Sequence, residues 1–114
     1  MGLKMNKQEI MDCPDAPDWI KKAYWEGDVT IDDGYVYFNR GIWENGVWEN
    51  GVWKDGVWKN GKWNDGTWET GIWEGGSWTN GIWYDGIWYD GVWLFGFWED
   101  GVWYSGSSLN RVKK

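Results

Sequence analysis

Histidine is absent from this 114-residue chain, and there is one cysteine, Cys13. Without histidine the commonest general base is missing, and with it most schemes that activate a serine or cysteine nucleophile. One cysteine excludes an internal disulfide framework, and no Cys/His spacing suits a zinc site. Two prolines exclude collagen and polyproline architectures. No apolar run approaches the roughly 18 residues that a membrane helix needs, so membrane insertion is not expected. The opening Met1-Gly2-Leu3-Lys4-Met5-Asn6-Lys7 carries positive charge with no apolar core behind it, unlike a secretory signal. Asn6 also breaks the myristoylation pattern. The expectation is synthesis in the cytoplasm without a signal peptide, compatible with later incorporation into a virion or other particle.

Basic residues are scarce where the chain is most regular. Residues 41–106 carry ten acidic and three basic side chains, a net of −7. Residues 1–40 add −3, and the tail Arg111-Val112-Lys113-Lys114 adds +3. An acidic surface repels phosphate, so direct nucleic-acid binding is not expected. Carboxylates are numerous enough to fall in pairs by chance, and no glycosidase constellation stands out among them. Asp55, Asp65, Asp85, Asp90 and Asp100 could hold Ca²⁺, but no dedicated loop surrounds them. The chain is therefore read as a non-enzyme with no cofactor and no metal.

What the chain has is tryptophan at a fixed interval. Trp43, Trp48, Trp53, Trp58, Trp63, Trp68, Trp73, Trp78, Trp83, Trp88, Trp93, Trp98 and Trp103 follow one another every five residues. Each sits two places after a glycine, from Gly41 to Gly101, and Gly106 opens one more unit. The unit is G-x-W-x-(N/D), as in Gly46-Val47-Trp48-Glu49-Asn50. Fixed self-similarity is the mark of a repeat architecture. A glycine every fifth residue excludes helix. The position before Trp is β-branched or apolar apart from Lys62, Thr67 and Ser77, which suits a half-buried strand site. The position after Trp opens charged, at Glu44, Glu49, Lys54 and Lys59, and must face water there. Asn-Gly and Asp-Gly steps supply the corners.

Two architectures fit. In a β-solenoid each unit forms one short face, the coils stack in parallel ladders, and the Trp column turns inward. In a β-meander each Asn-Gly reverses the chain, all Trp share one face, and a second copy must cover it. Charge pairing favours coils of two or three units. An offset of fifteen sets Glu44 beside Lys59, Lys54 beside Glu69 and Lys59 beside Glu74, and an offset of ten gives comparable pairs. Each exposed pair is worth at most about 1 kcal/mol. The thirteen Trp are read as structural core, because exposing them would create a patch far beyond the few hundred Å² that monomers tolerate. Each buried indole N–H then needs an acceptor, either a backbone carbonyl or a fifth-position Asn or Asp.

Residues 1–40 do not repeat and are read as an N-terminal capping segment, since repeat arrays need atypical ends. Asp15-Ala16-Pro17-Asp18 suits a helix start, and Trp19, Ile20, Ala23 and Tyr24 recur at helical spacing with Gly27 as the stop. Val29-Thr30-Ile31, Asp32-Asp33-Gly34 and Tyr35-Val36-Tyr37-Phe38 read as a β-hairpin. The array itself spans 41–106, and the basic tail 107–114 is expected to fray.

Towards the C-terminal end the charged positions after Trp become Tyr84, Tyr89, Leu94 and Tyr104, and Phe95 and Phe97 replace turn and strand residues. These six residues predict an outward apolar strip, the candidate binding interface. The array Gly41–Gly106 resembles the Trp-rich repeat proteins of bacteriophage open reading frames. Cys13-Pro14-Asp15…Trp19-Ile20, Gly27-Asp28-Val29-Thr30-Ile31 and Asp33-Gly34-Tyr35 look like the leader that precedes such arrays. The period of five is also similar to that of the pentapeptide-repeat family. That resemblance implies a right-handed quadrilateral β-helix with Gly and Trp facing inward. Four Trp per layer would crowd a square coil built for Leu and Phe. Some acidic members of that family are similar to duplex DNA in outline and bind topoisomerases. The functional expectation is a non-catalytic structural or adhesive acidic stack that self-assembles or docks another protein through the aromatic strip. The alternatives are an intracellular DNA-mimic inhibitor and, more weakly, a carbohydrate-binding module.

Overall fold

A computed structural model describes residues 3–109 and the strand at 112–113. The chain opens with β1 (Lys4–Met5), α1 (Lys7–Met11), α2 (Asp18–Lys22), β2 (Tyr24–Asp32) and β3 (Tyr35–Asn45). Two-residue strands then recur every five residues, from β4 (Val47–Trp48) to β15 (Val102–Trp103). β16 (Ser107–Ser108) and β17 (Val112–Lys113) keep the same phase.

The array is a parallel β-solenoid with three units per coil. Every ladder pairs residues fifteen apart: Trp43 with Trp58, Trp48 with Trp63, Trp53 with Trp68. A meander would pair Trp43 with Trp48, and this register excludes it. It also replaces the four-sided coil implied by the pentapeptide-repeat resemblance with a three-sided one. The first face carries Tyr37–Phe38, Val52–Trp53, Thr67–Trp68, Ile82–Trp83, Phe97–Trp98 and Val112–Lys113. The second carries Ile42–Trp43, Val57–Trp58, Ile72–Trp73, Ile87–Trp88 and Val102–Trp103. The third carries Val47–Trp48, Lys62–Trp63, Ser77–Trp78, Val92–Trp93 and Ser107–Ser108.

Indole shape explains the triangle. Within a face each Trp stacks on the one fifteen residues later, at 4.6 to 4.9 Å between centroids and 3 to 6° between planes. Between faces consecutive Trp meet edge-on, at 5.6 to 6.0 Å and 69 to 74°. Both are favoured aromatic geometries, and three rings per layer leave no room for a fourth. Trp43 to Trp93 are fully buried, and Trp98 nearly so.

The polar groups of this core are paired by the same period. Trp58, Trp63, Trp68, Trp73, Trp78, Trp83 and Trp88 each donate the indole N–H to the backbone carbonyl seventeen residues on, at 3.0 to 3.1 Å. The acceptor is the carbonyl of a fifth-position residue one coil later, such as Asp90 for Trp73. The expectation of a backbone acceptor is met for the seven indoles from Trp58 to Trp88. In the first coil the indole nitrogens of Trp43, Trp48 and Trp53 are buried without a partner. The Asn and Asp side chains turn the corner instead: Asn45, Asn50, Asp55, Asp65, Asp85, Asp90 and Asp100 each accept from the following glycine N–H at 2.8 to 2.9 Å. At Gly71, φ is +126°, and an added Cβ would lie 2.3 Å from the Gly56 carbonyl oxygen of the coil below. Coil stacking itself therefore requires glycine there. Glu44 and Lys59, one coil apart, close to 3.7 Å.

The N-terminal segment departs in detail from its sequence reading. α1 was not anticipated; it carries a capping box, in which Asn6 Oδ1 accepts from the Glu9 N–H and Glu9 Oε1 from the Asn6 N–H. α2 stops at Lys22, and Tyr24 begins β2. Gly27 does not stop the helix. It lies inside β2 opposite Gly41, where the backbones come so close that a Cβ on Gly27 would lie 2.1 Å from the Arg40 carbonyl oxygen. The hairpin forms as expected but is longer, with Asp33 and Gly34 at positive φ in its turn. Pairing with the array starts one unit before Gly41. Phe38 takes a Trp position and stacks on Trp53 at 4.2 Å. Trp25 covers Phe38 edge-on, and Trp19 covers Trp48 at 4.9 Å. Lys7 donates to the Ala23 carbonyl and lies 5.4 Å from the Trp25 ring centroid, and its burial pushes its pKa below the usual lysine value. At the other end β16 and β17 carry pairing into the tail read as frayed; residues 110, 111 and 114 lie outside the described residues.

Candidate interaction surface

In each unit the Trp points inward, so the residues on either side of it point out. Along the array these outward positions change character. Among large apolar residues, Tyr84, Tyr89, Val92, Phe95, Phe97, Val102, Tyr104 and Leu109 are exposed near the C-terminal end, whereas none is exposed between Val47 and Tyr84.

The six candidate residues do not form one strip. Because the coil is fifteen residues long, Tyr84 and Phe97 fall on the first face, Tyr89 and Tyr104 on the second, and Leu94 on the third. Phe95 occupies the corner between the third and first faces, where its backbone accepts from Trp78 Nε1 at 3.0 Å and donates to the Thr79 carbonyl. The apolar residues thus form a girdle around the last two coils, with Leu94 half-buried and the other five exposed. Val92, Val102 and Leu109 belong to the girdle and were missed by the sequence reading. Leu109 could have been found by treating Ser108 as a Trp position, which places Leu109 where Tyr104 and Leu94 stand in their units.

The geometry differs around the girdle. Tyr89 and Tyr104 stack at 5.1 Å and 6°, so one face of each ring is covered by the other. Ile82, Tyr84, Phe97 and Glu99 line a cleft of about 170 Å³ on the first face. A larger cleft of about 530 Å³ lies at the other end, between α2 and the third face, against Trp19, Lys22, Val47 and Glu49.

Strand edges are also unequal. At the N-terminal end, β1, β2, Trp19 and Trp25 lie over the first coil. At the C-terminal end β15, β16 and β17 are the last strands of their ladders. There Ser108 takes the register position of Trp93 one coil on. Among the described residues no group of three or more His, Cys, Asp or Glu side chains is placed to hold a metal ion, and no helix is long and apolar enough to cross a membrane. No known family model, curated protein or solved structure matches the chain.

Proposed function

We propose that this protein is a non-catalytic structural or adhesive element, a short acidic β-solenoid that meets its own copies or another protein through its C-terminal end. The observation that carries this reading is the coincidence of terminal strand edges and an encircling apolar girdle at that end. Unpaired strand edges invite association unless covered; at the N-terminal end β2 pairs along β3, and Trp19 of α2 lies over Trp48 of β4, the terminal strand of the third face. The molecule measures 38 × 23 × 18 Å. Its end alone offers on the order of 300 to 400 Å², well under the roughly 800 Å² per partner of a stable interface. A stable contact must therefore take in the sides of the last two coils, where the girdle lies.

Sedimentation equilibrium tests the self-assembly form. Wild type should associate with concentration, and the joint substitution Leu94→Ser, Phe95→Ser and Phe97→Ser should remove association while far-UV dichroism stays unchanged. A triple variant that assembles like the parent places the contact elsewhere. A wild type that is monomeric at every concentration leaves docking to another protein as the remaining form.

The DNA-mimic alternative draws less support. Duplex DNA carries one charge per about 1.7 Å of axis, whereas residues 63–110, more than three coils, carry seven carboxylates in all. A sugar-stacking platform also draws little, because Tyr89 and Tyr104 spend ring faces on each other.

A further inference from the structure

The first face of the girdle has a chemistry the other two lack, and it specifies a partner for the contact end proposed above. No Lys or Arg occurs from residue 63 to residue 110, while Asp65, Glu69, Glu74, Asp85, Asp90, Glu99 and Asp100 fall in that stretch. The apolar cleft of Ile82, Tyr84 and Phe97 includes Glu99, and Asp85 and Asp100 stand at the adjoining corner, one coil apart. Their carboxylates are held in place: Asp85 Oδ1 accepts from the Gly86 N–H and Asp100 Oδ1 from the Gly101 N–H, both at 2.8 Å. Both side chains are exposed, so the second oxygen of each can take a donor from outside. Successive coils are about 4.8 Å apart, a spacing that one planar guanidinium can bridge. Tyr84 and Phe97, each about half exposed, offer ring faces to a cation and apolar surface to its methylene stem.

We propose that this cleft docks an arginine-bearing, partly apolar segment of a partner protein. The guanidinium bridges Asp85 and Asp100, and a neighbouring aliphatic side chain lies on Ile82 and Phe97. Arg40, the one arginine among the described residues, is already held by Asp28 at 3.0 Å, so a second copy does not supply the group from there. The proposal rests on the reading of the C-terminal end as the contact surface.

The test uses the full chain and a defined probe, the capped tetrapeptide Arg-Leu-Arg-Leu, beside its neutral isostere with citrulline for arginine. Titration followed by NMR should show saturable shifts confined to residues 82–85 and 97–100, with the citrulline peptide at least about tenfold weaker. Asp85→Asn with Asp100→Asn should weaken the arginine peptide by about tenfold, two exposed charge pairs having been lost. Asparagine keeps the corner bond, as Asn45 and Asn50 do in the first coil, so the fold is retained. Asp55→Asn, two coils below Asp85 at the same corner, with Glu74→Gln on the second face removes the same charge outside the cleft and should leave affinity within twofold. Equal weakening by this control pair, equal binding of the citrulline peptide, or no saturable binding overturns the proposal. So does phosphatidylcholine vesicle binding that shifts the same residues, since the cleft would then be a lipid contact. The Asp85/Asp100 variant keeps the apolar girdle, so its sedimentation should match wild type. Wild type that associates normally but shows no saturable binding of the arginine peptide refutes this inference alone.

Discussion

At the residue scale, stability is concentrated in the indoles and depends on where each N–H goes. Trp73 is fully buried, stacked on Trp58 and Trp88, and bonded to the Asp90 carbonyl. Trp73→Ala should cost about 3–5 kcal/mol through lost burial and a cavity. Glu74→Ala, one residue on and facing solvent, should stay within about 0.5 kcal/mol. Chemical denaturation measures both. A finer comparison separates packing from hydrogen bonding. Trp73→Phe leaves the Asp90 carbonyl unpaired, whereas Trp53→Phe removes an indole N–H that has no partner. The volume change is the same, so Trp73→Phe should cost more by about 1 kcal/mol. Equal costs would mean that these indole bonds contribute nothing net.

At the element scale, the unit is held by its glycine and by the cap it meets. Gly71→Ala should destabilise by about 3 kcal/mol or more, because positive φ and a 2.3 Å approach to the Gly56 carbonyl oxygen both oppose a Cβ. Retention of full stability on thermal or denaturant unfolding would show that the coils can part without cost. In the cap, the folded pKa of Lys7 lies below its unfolded value because burial disfavours the ammonium. The folded state therefore binds fewer protons in that window. The resulting penalty is present below the folded pKa and is relieved as pH rises toward 10.5. Lys7→Met should abolish this term. The stability gap between variant and wild type should then be larger at neutral pH than near pH 10.5, as denaturation at the two pH values reads directly.

At the scale of the whole molecule, the two ends are unlike. Removing residues 1–35 would leave Phe38 in place but uncover the first coil, since Trp19 and Trp25 lie over Trp48 and Phe38. The expected outcome is open-ended polymerisation, visible by light scattering and electron microscopy. A truncated chain that stays monomeric would show that the cap is not needed to guard the end. In the intact protein, Trp emission should be blue-shifted and poorly quenched by acrylamide, since eleven of the thirteen array indoles are wholly inaccessible. Emission like that of indole in water would contradict the closed columns.

The repeat unit was legible because it is local. Gly, Trp and Asn or Asp at fixed positions dictate strand, inward ring and corner without reference to anything distant, and burial of so many indoles leaves few places to put them. The hairpin at Asp33-Gly34 was legible for the same reason. Coil size was not, because offsets of ten and fifteen both matched opposite charges, and exposed ion pairs are too weak to choose between them. The choice was made by ring packing: three indoles per layer satisfy stacking along a face and edge contact between faces together. That one integer then rearranged the candidate site. With a coil of fifteen, Tyr84, Tyr89 and Leu94 part onto three faces, and Asp85 comes to stand one coil below Asp100. Gly27 taught the same lesson on a smaller scale, since a glycine read as a helix stop is there for Gly41, fourteen residues away. Chemistry that repeats every five residues can be read along the chain. Neighbourhoods made by stacking exist only once the coil has closed.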